Sequence, residues 1–240
     1  MADPIHQFEI KKIVPLELNN IDISFTNSSM FMILTVLVVS IFLILSIKNK
    51  KVIPNRFQII SELLYEFIAN MINDNIGHKG QKFFPFIFTL FTFILFGNLL
   101  GMLPYSFTFT SHIIVTFALA MFIFLFITLI GIFMHGFKFF GLFEPKGVPM
   151  LMLPLMIPIE IISYLSRPIS LSVRLFANMM AGHTMLKIFA GFVFSLGIFG
   201  IAPLIVDVAL TALEVLIAIL QAYVFTILTC IYLNEAINLH

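Results

Sequence analysis

Six ionisable residues, Glu160, Arg167, Arg174, Lys187, Asp207 and Glu214, lie within two long apolar stretches at the carboxyl-terminal end of this 240-residue chain, with His183 among them. In a bilayer such groups are expensive: an arginine at the centre costs roughly 2.5–3.5 kcal/mol on insertion scales and roughly 10–17 kcal/mol in simulations. They must therefore face partners or a water-filled cavity. A histidine and carboxylates can pass protons along, whereas an arginine stays protonated. The chemistry this set can support is proton movement around a fixed cation, Arg174.

Spacing orders these groups. Seven residues turn an α-helix by about 700°, within about 20° of two full turns, so Glu160, Arg167 and Arg174 share one stripe and Asp207, Glu214 and Gln221 another. If the two stretches form an antiparallel hairpin turning near residue 198, then Lys187 with Asp207, His183 with Glu214, and Arg174 with Gln221 stand at similar depths. Depth is not contact. The step from Arg174 to His183 turns the helix by about 180°, so His183 and Lys187 face an access path while Arg174 faces another surface. The nearest acid on its own stripe, Glu160, is about 21 Å away along the axis, which points to a counter-ion on another subunit. His183, Lys187, Asp207 and Glu214 fall on the outer side of Arg174, and Glu160, Ser163, Tyr164 and Arg167 on the inner side. As an alternative, the Lys187–Asp207 and His183–Glu214 pairs could simply neutralise each other and glue the helices together.

The elements that carry these residues follow from hydropathy. A bilayer core of about 30 Å takes roughly 20 helical residues, and 29–47, 83–103 and 112–135 each supply them with almost no charge. Residues 55–75 place Phe57, Ile60, Leu64, Phe67, Ile68 and Met71 at helical spacing among Glu62, Glu66 and Asp74, predicting an amphipathic helix at the membrane surface. The stretches 148–190 and 201–235 exceed an upright span, so they must tilt, break or leave the membrane. Pro154, Pro158 and Pro168 could bend the first, and Gly191, Gly197, Gly200 and Pro203 mark the turn between them. The expected fold is an all-α integral membrane protein: five transmembrane helices, one interfacial helix, and a long tilted hairpin at the carboxyl-terminal end.

Composition agrees with one membrane domain. The chain is 60% hydrophobic and 10% charged, with 30 Phe and a mean hydropathy of +1.10. A net charge of +1 offers no field for nucleic acid. Cys230 is the only cysteine, which excludes an intrachain disulfide, and no Cys–His cluster has metal-ligand spacing. The charged segment 1–28 does not read as a cleaved signal. Lys48, Lys50, Lys51, Arg56, Lys79, Lys82, Lys138 and Lys146 flank the ends that would face inward, against only Lys11 and Lys12 on the other side. That asymmetry predicts an amino terminus outside and a carboxyl terminus inside.

The run Ser170-Leu171-Ser172-Val173-Arg174-Leu175-Phe176-Ala177-Asn178-Met179-Met180-Ala181-Gly182-His183 closely resembles the signature of subunit a of F-type ATP synthases. Gly97-Asn98-Leu99-Leu100-Gly101, Glu160 with Ser163, Arg167-Pro168, and Leu220-Gln221-Ala222-Tyr223 extend the likeness over nearly the whole chain. The resemblance implies that Arg174 faces a rotating c-ring whose carboxylate carries the proton, assisted by Gln221. Asn98, His183 and Glu214 would line an outer half-channel, with Asp207 and Lys187 tuning it. Glu160 and Ser163, with Tyr164 beside them, would belong to an inner half-channel. Asn178 lies within the signature, one turn from Arg174. The implied partners are the c-ring, the peripheral-stalk b subunits and the lipid bilayer, and the transported ion is a proton. No cofactor is implied. The implied location is an energy-coupling membrane, bacterial inner (plasma) or mitochondrial inner. No Gly-rich phosphate loop is present, so nucleotide chemistry would lie in partner subunits.

Two other readings use the same charges. A secondary transporter or autonomous channel would conduct as an isolated chain. A purely structural membrane subunit would need Arg174 for assembly alone.

Overall fold

The computed structural model describes residues 9–15, 17–18, 21–22, 24–48, 54–103, 106–136, 139, 141 and 152–238. Among the described residues there are six α-helices: α1 (Asn27–Lys48), α2 (Arg56–Asn75), α3 (Phe84–Gly101), α4 (Ile113–His135), α5 (Leu153–Ser195) and α6 (Ile201–Ile237). Among the described residues, four segments are long and apolar enough to cross a bilayer, namely α1, α3 with the 3-10 turn preceding it, α4 and α6. α5 has the length but carries Glu160, Arg167, Arg174 and Lys187, and it is not among those four. The chain is thus a predominantly helical, multi-pass membrane protein.

Each predicted helix is present, with shifted ends. The second span starts at Phe84 rather than 83, because His78–Phe83 forms a 3-10 turn, and Pro85 sits in the first turn of α3, where its missing N–H costs nothing. Residues 148–151, the expected start of the long hairpin, lie outside the described residues. α5 then runs 43 residues without a break, across Pro158 and Pro168. It also continues past Ala190, so Gly191 lies inside the helix rather than in the turn. The turn is Gly197–Gly200, where Gly197 takes φ 56 and a Cβ on Gly200 would stand 2.5 Å from the Val193 carbonyl oxygen. Both glycines are required there, one by backbone conformation and the other by close approach. Pro203 falls in the first turn of α6.

The hairpin α5–α6 forms the longest helix contact, and α3 packs on α6 while α4 packs on α5. A core of Ile68 and Ile72 from α2, Ile87 and Ile94 from α3, Ile123 from α4, Leu171 and Leu175 from α5, and Phe225, Cys230 and Leu233 from α6 joins them. Cys230 is fully buried within it. α2 buries Ile68, Met71 and Ile72 and leaves Phe57, Ile60 and Phe67 exposed. Its apolar face is therefore only partly used inside the chain. α1 exposes Ile33, Leu37, Ile41 and Ile44, the surface a lipid-facing span requires.

Short antiparallel ribbons precede α1, and the hydropathy reading does not reveal them. β1 (Lys12–Val14) pairs with β4 (Phe25–Thr26), and β2 (Glu17–Leu18) pairs with β3 (Ile21–Asp22). Asn27 ties this ribbon to the helix: its backbone N–H donates to the Lys11 carbonyl at 3.1 Å, and its side-chain Nδ2 donates to the Glu9 carbonyl at 3.1 Å.

Candidate functional site

Three elements converge on His183. Gly97 and Gly101 on α3 are four apart and share a face, so the strand of chain following α3 can press against the helix backbone. A Cβ at Gly97 would stand 2.5 Å from Phe109 Cζ, and one at Gly101 would stand 2.6 Å from Thr108 Oγ1. The missing side chains seat the Phe109–Ser111 turn and place Thr108, 2% exposed, in the interior. There Thr108 Oγ1 lies 2.9 Å from His183 Nε2 and donates to the Gly101 carbonyl at 3.1 Å.

On its other side, His183 Nδ1 lies 3.3 Å from Glu214 Oε1. The carboxyl group is 3% exposed, and neither oxygen has a hydrogen bond; the approach of Nδ1 is close without being aligned. Gly182 makes this possible, since a Cβ there would meet Glu214 Oε1 at 2.7 Å and Cδ at 2.9 Å. Of the three pairs predicted from hairpin register, His183–Glu214 thus closes into direct contact. Asn98 is completely buried beside α6, donating through Nδ2 to the Ala218 carbonyl at 3.3 Å, while its Oδ1 has no hydrogen-bond partner. Asp207 Oδ1 and His112 Nε2 are likewise buried without one. Lys187 is half-buried on the same stretch of α5. A buried polar atom without a partner is costly and uncommon. Here Asn98, Asp207, Glu214 and His112 each carry at least one.

Arg174 stands apart from this cluster, as the helix rotation predicts. It is exposed on α5, and among the described residues it makes no hydrogen bond or ion pair. The exposed Ala177 and Ala181 extend its face, and Leu213, Leu216 and Leu220 are exposed on α6. Gln221 is buried on α6, and Asn178 is half-buried one turn after Arg174.

Toward the start of α5, Arg167 does not share the isolation of Arg174, although both lie on one predicted stripe. Its Nη1 forms an ion pair with Glu235 Oε2 near the end of α6. The guanidinium also stacks over the Tyr164 ring at 5.1 Å and the Tyr232 ring at 4.8 Å from their centroids. Tyr164 in turn shares a 2.7 Å hydrogen bond with Thr128 of α4. Tyr164, Arg167, Tyr232 and Glu235 line a small cavity of about 20 Å³ between α4, α5 and α6. Glu160 is half-buried and Ser163 exposed on the preceding turns. Sequence reasoning missed Thr108 and the role of Glu235. No periodic signal could have found the first: Ser106, Phe107, Thr108, Phe109 and Thr110 are all buried, so the segment has no alternating face.

Comparison with known proteins bears on the whole chain. Residues 29–234 match the family described as ATP synthase A chain. The sequence is 58% identical over 241 residues to ATP synthase subunit a of Rhodospirillum rubrum, covering 100% of each chain. It is 58% identical to that of Pelagibacter ubique, with 100% of this chain and 99% of the relative aligned. To that of Sinorhizobium fredii it is 59% identical over 243 residues, covering 98% and 97%. A full-length match of this depth, on a helical membrane fold that seats the signature residues on one hairpin, shows that the chain belongs to the ATP synthase subunit a family.

Proposed function

We propose that this chain is the stator subunit of an F-type ATP synthase, passing protons to and from a rotating c-ring through two offset polar half-paths. The observation that carries the reading is Arg174: an exposed cation on a bilayer-length hairpin, with no acid of its own among the described residues. Facing lipid, it would cost kilocalories; facing a carboxylate on a partner helix, it is stabilised. Ala177 and Ala181 beside it leave room for that helix to approach closely.

In this reading, His183, Glu214, Asn98, Asp207 and Lys187 form the outer half-path. Glu160, Ser163 and Tyr164 belong to the inner one. Arg174 favours loss of the proton from an arriving c-ring carboxylate by stabilising the anion, and Gln221 and Asn178 flank it. The cation itself carries no proton and bars direct flow between the halves. Each proton crossing gains about 2.3 kcal/mol per 100 mV. α1, α3, α4, α5 and α6 then make five crossings, with α2 at the interface, the amino terminus outside and the carboxyl terminus inside. A helix of 43 residues is about 65 Å long, so α5 crosses a 30 Å core tilted by roughly 60°. Such a tilt suits the side of a ring. The b subunits would be further partners, and the setting a bacterial inner membrane.

The test is Arg174→Ala in the assembled complex. Proton-driven ATP synthesis should vanish while assembly persists; full coupled synthesis by that variant would defeat the proposal. Proton flux through the isolated chain would favour an autonomous channel instead.

A further inference from the structure

The contact between Thr108 and His183 has a direction. Gly101 ends α3, so its carbonyl lacks an intrahelical N–H and can only accept; one lone pair takes the Ser106 hydroxyl at 2.8 Å and the other faces Thr108. Thr108 has a single hydroxyl proton, and its Oγ1 lies 3.1 Å from that carbonyl oxygen and 2.9 Å from His183 Nε2. If the hydroxyl donated to Nε2, two oxygens would face each other at 3.1 Å with no proton between them. If it donates to Gly101, its lone pair is free to accept from Nε2–H. The second arrangement satisfies both contacts at once. Thr108 and His183 are 2% and 7% exposed, so water competes poorly for either bond.

We propose that Thr108 is a positioning residue that holds His183 as the Nε2–H tautomer and thereby leaves Nδ1, the nitrogen facing Glu214, as the one that exchanges a proton. This rests on the reading of His183 and Glu214 as part of the proton path. In the exchange, the O–H bond of the protonated Glu214 carboxyl breaks and an N–H bond forms at Nδ1, giving a carboxylate and an imidazolium; the reverse step restores both. The Nε2–H bond stays intact throughout. The Thr108 side is a dead end, because its hydroxyl proton is committed to a carbonyl that does not take one up. Protons therefore enter and leave this pair on the Glu214 side, and the imidazole is not a through-wire.

The experiment is nitrogen-15 solid-state NMR on the assembled complex in lipid, with histidine labelled in this subunit alone and the His183 signal identified by its loss in His183→Gln. Neutral His183 should show a protonated Nε2 and a bare Nδ1 in the wild type and in Thr108→Ser, and a changed tautomer ratio in the near-isosteric Thr108→Val. A wild-type Nδ1–H tautomer, or a ratio unmoved by Thr108→Val, overturns the proposal. The wild-type measurement needs no variant to fold. In coupled synthesis per assembled complex, Thr108→Val should fall roughly tenfold, the scale of one unsatisfied buried donor. Thr108→Ser should recover most of that loss, and equal rates for the two variants overturn the positioning role. Full synthesis by both His183→Gln and Glu214→Gln would instead refute the proton-path reading, whatever the tautomer.

Discussion

Replacing Gly182 by alanine puts a methyl group against the Glu214 carboxyl. The added Cβ would stand 2.7 Å from Oε1, 2.9 Å from Cδ and 3.0 Å from Cγ, whereas ordinary contact begins at 3.4 Å. The carboxyl must therefore withdraw by about 0.7 Å, or α5 and α6 must part by a similar amount. Either response changes the 3.3 Å approach of His183 Nδ1 to Oε1. Since a misplacement of about 1 Å can cost on the order of 10²-fold in a reacting geometry, Gly182→Ala should lower coupled proton transfer roughly tenfold. Helix propensity works the other way, favouring alanine by about 1 kcal/mol, so a loss is not helix unfolding. Gly191→Ala is the matched control on the same helix, because its added Cβ would meet nothing within 4 Å. ATP synthesis should be driven by an imposed proton gradient and potential in vesicles and normalised to assembled complex. Full activity in Gly182→Ala, or equal losses in both variants, would refute the reasoning.

Gly101→Ala should mimic Thr108→Val, because its Cβ would stand 2.6 Å from Thr108 Oγ1; the His183 nitrogen-15 signals and the synthesis rate should shift together. Arg167→Met should destabilise the α5–α6 hairpin by about 1–3 kcal/mol, since it leaves Glu235 without its cation and removes two ring contacts. The check is the thermal stability of the purified complex, where Arg167→Lys should recover only part of the loss because an ammonium cannot reproduce the planar stacking.

What could be read from sequence was what repeats or costs energy locally. Twenty-residue apolar runs fixed α1, α3 and α4 to within a few residues, and the unpaired look of Arg174 followed from distances along one helix. The matching depth of His183 and Glu214 was legible as well, because a hairpin links register to residue number, whereas their contact also needs the small Gly182 beside the carboxyl. Arg167 was harder: its spacing matched that of Arg174, yet its acid lies 68 residues on, at the far end of α6. Thr108 was harder still, lying 75 residues from His183 on a short segment whose seating depends on two glycines of α3. Helical periodicity carries no information about such a loop. The amino-terminal ribbons pair over two or three residues, too short to leave a periodic trace.

Cys230 has no exposed surface and is the chain's only cysteine. The unaltered protein is thus already a silent background for thiol chemistry, with nothing to remove before a reporter is introduced. A single cysteine placed at the exposed Ala177 would be the one site in this chain to react with a maleimide or to form a disulfide across to a neighbouring helix. The face around Arg174 can therefore be mapped by labelling and cross-linking without first disturbing the packed core that Cys230 helps to fill.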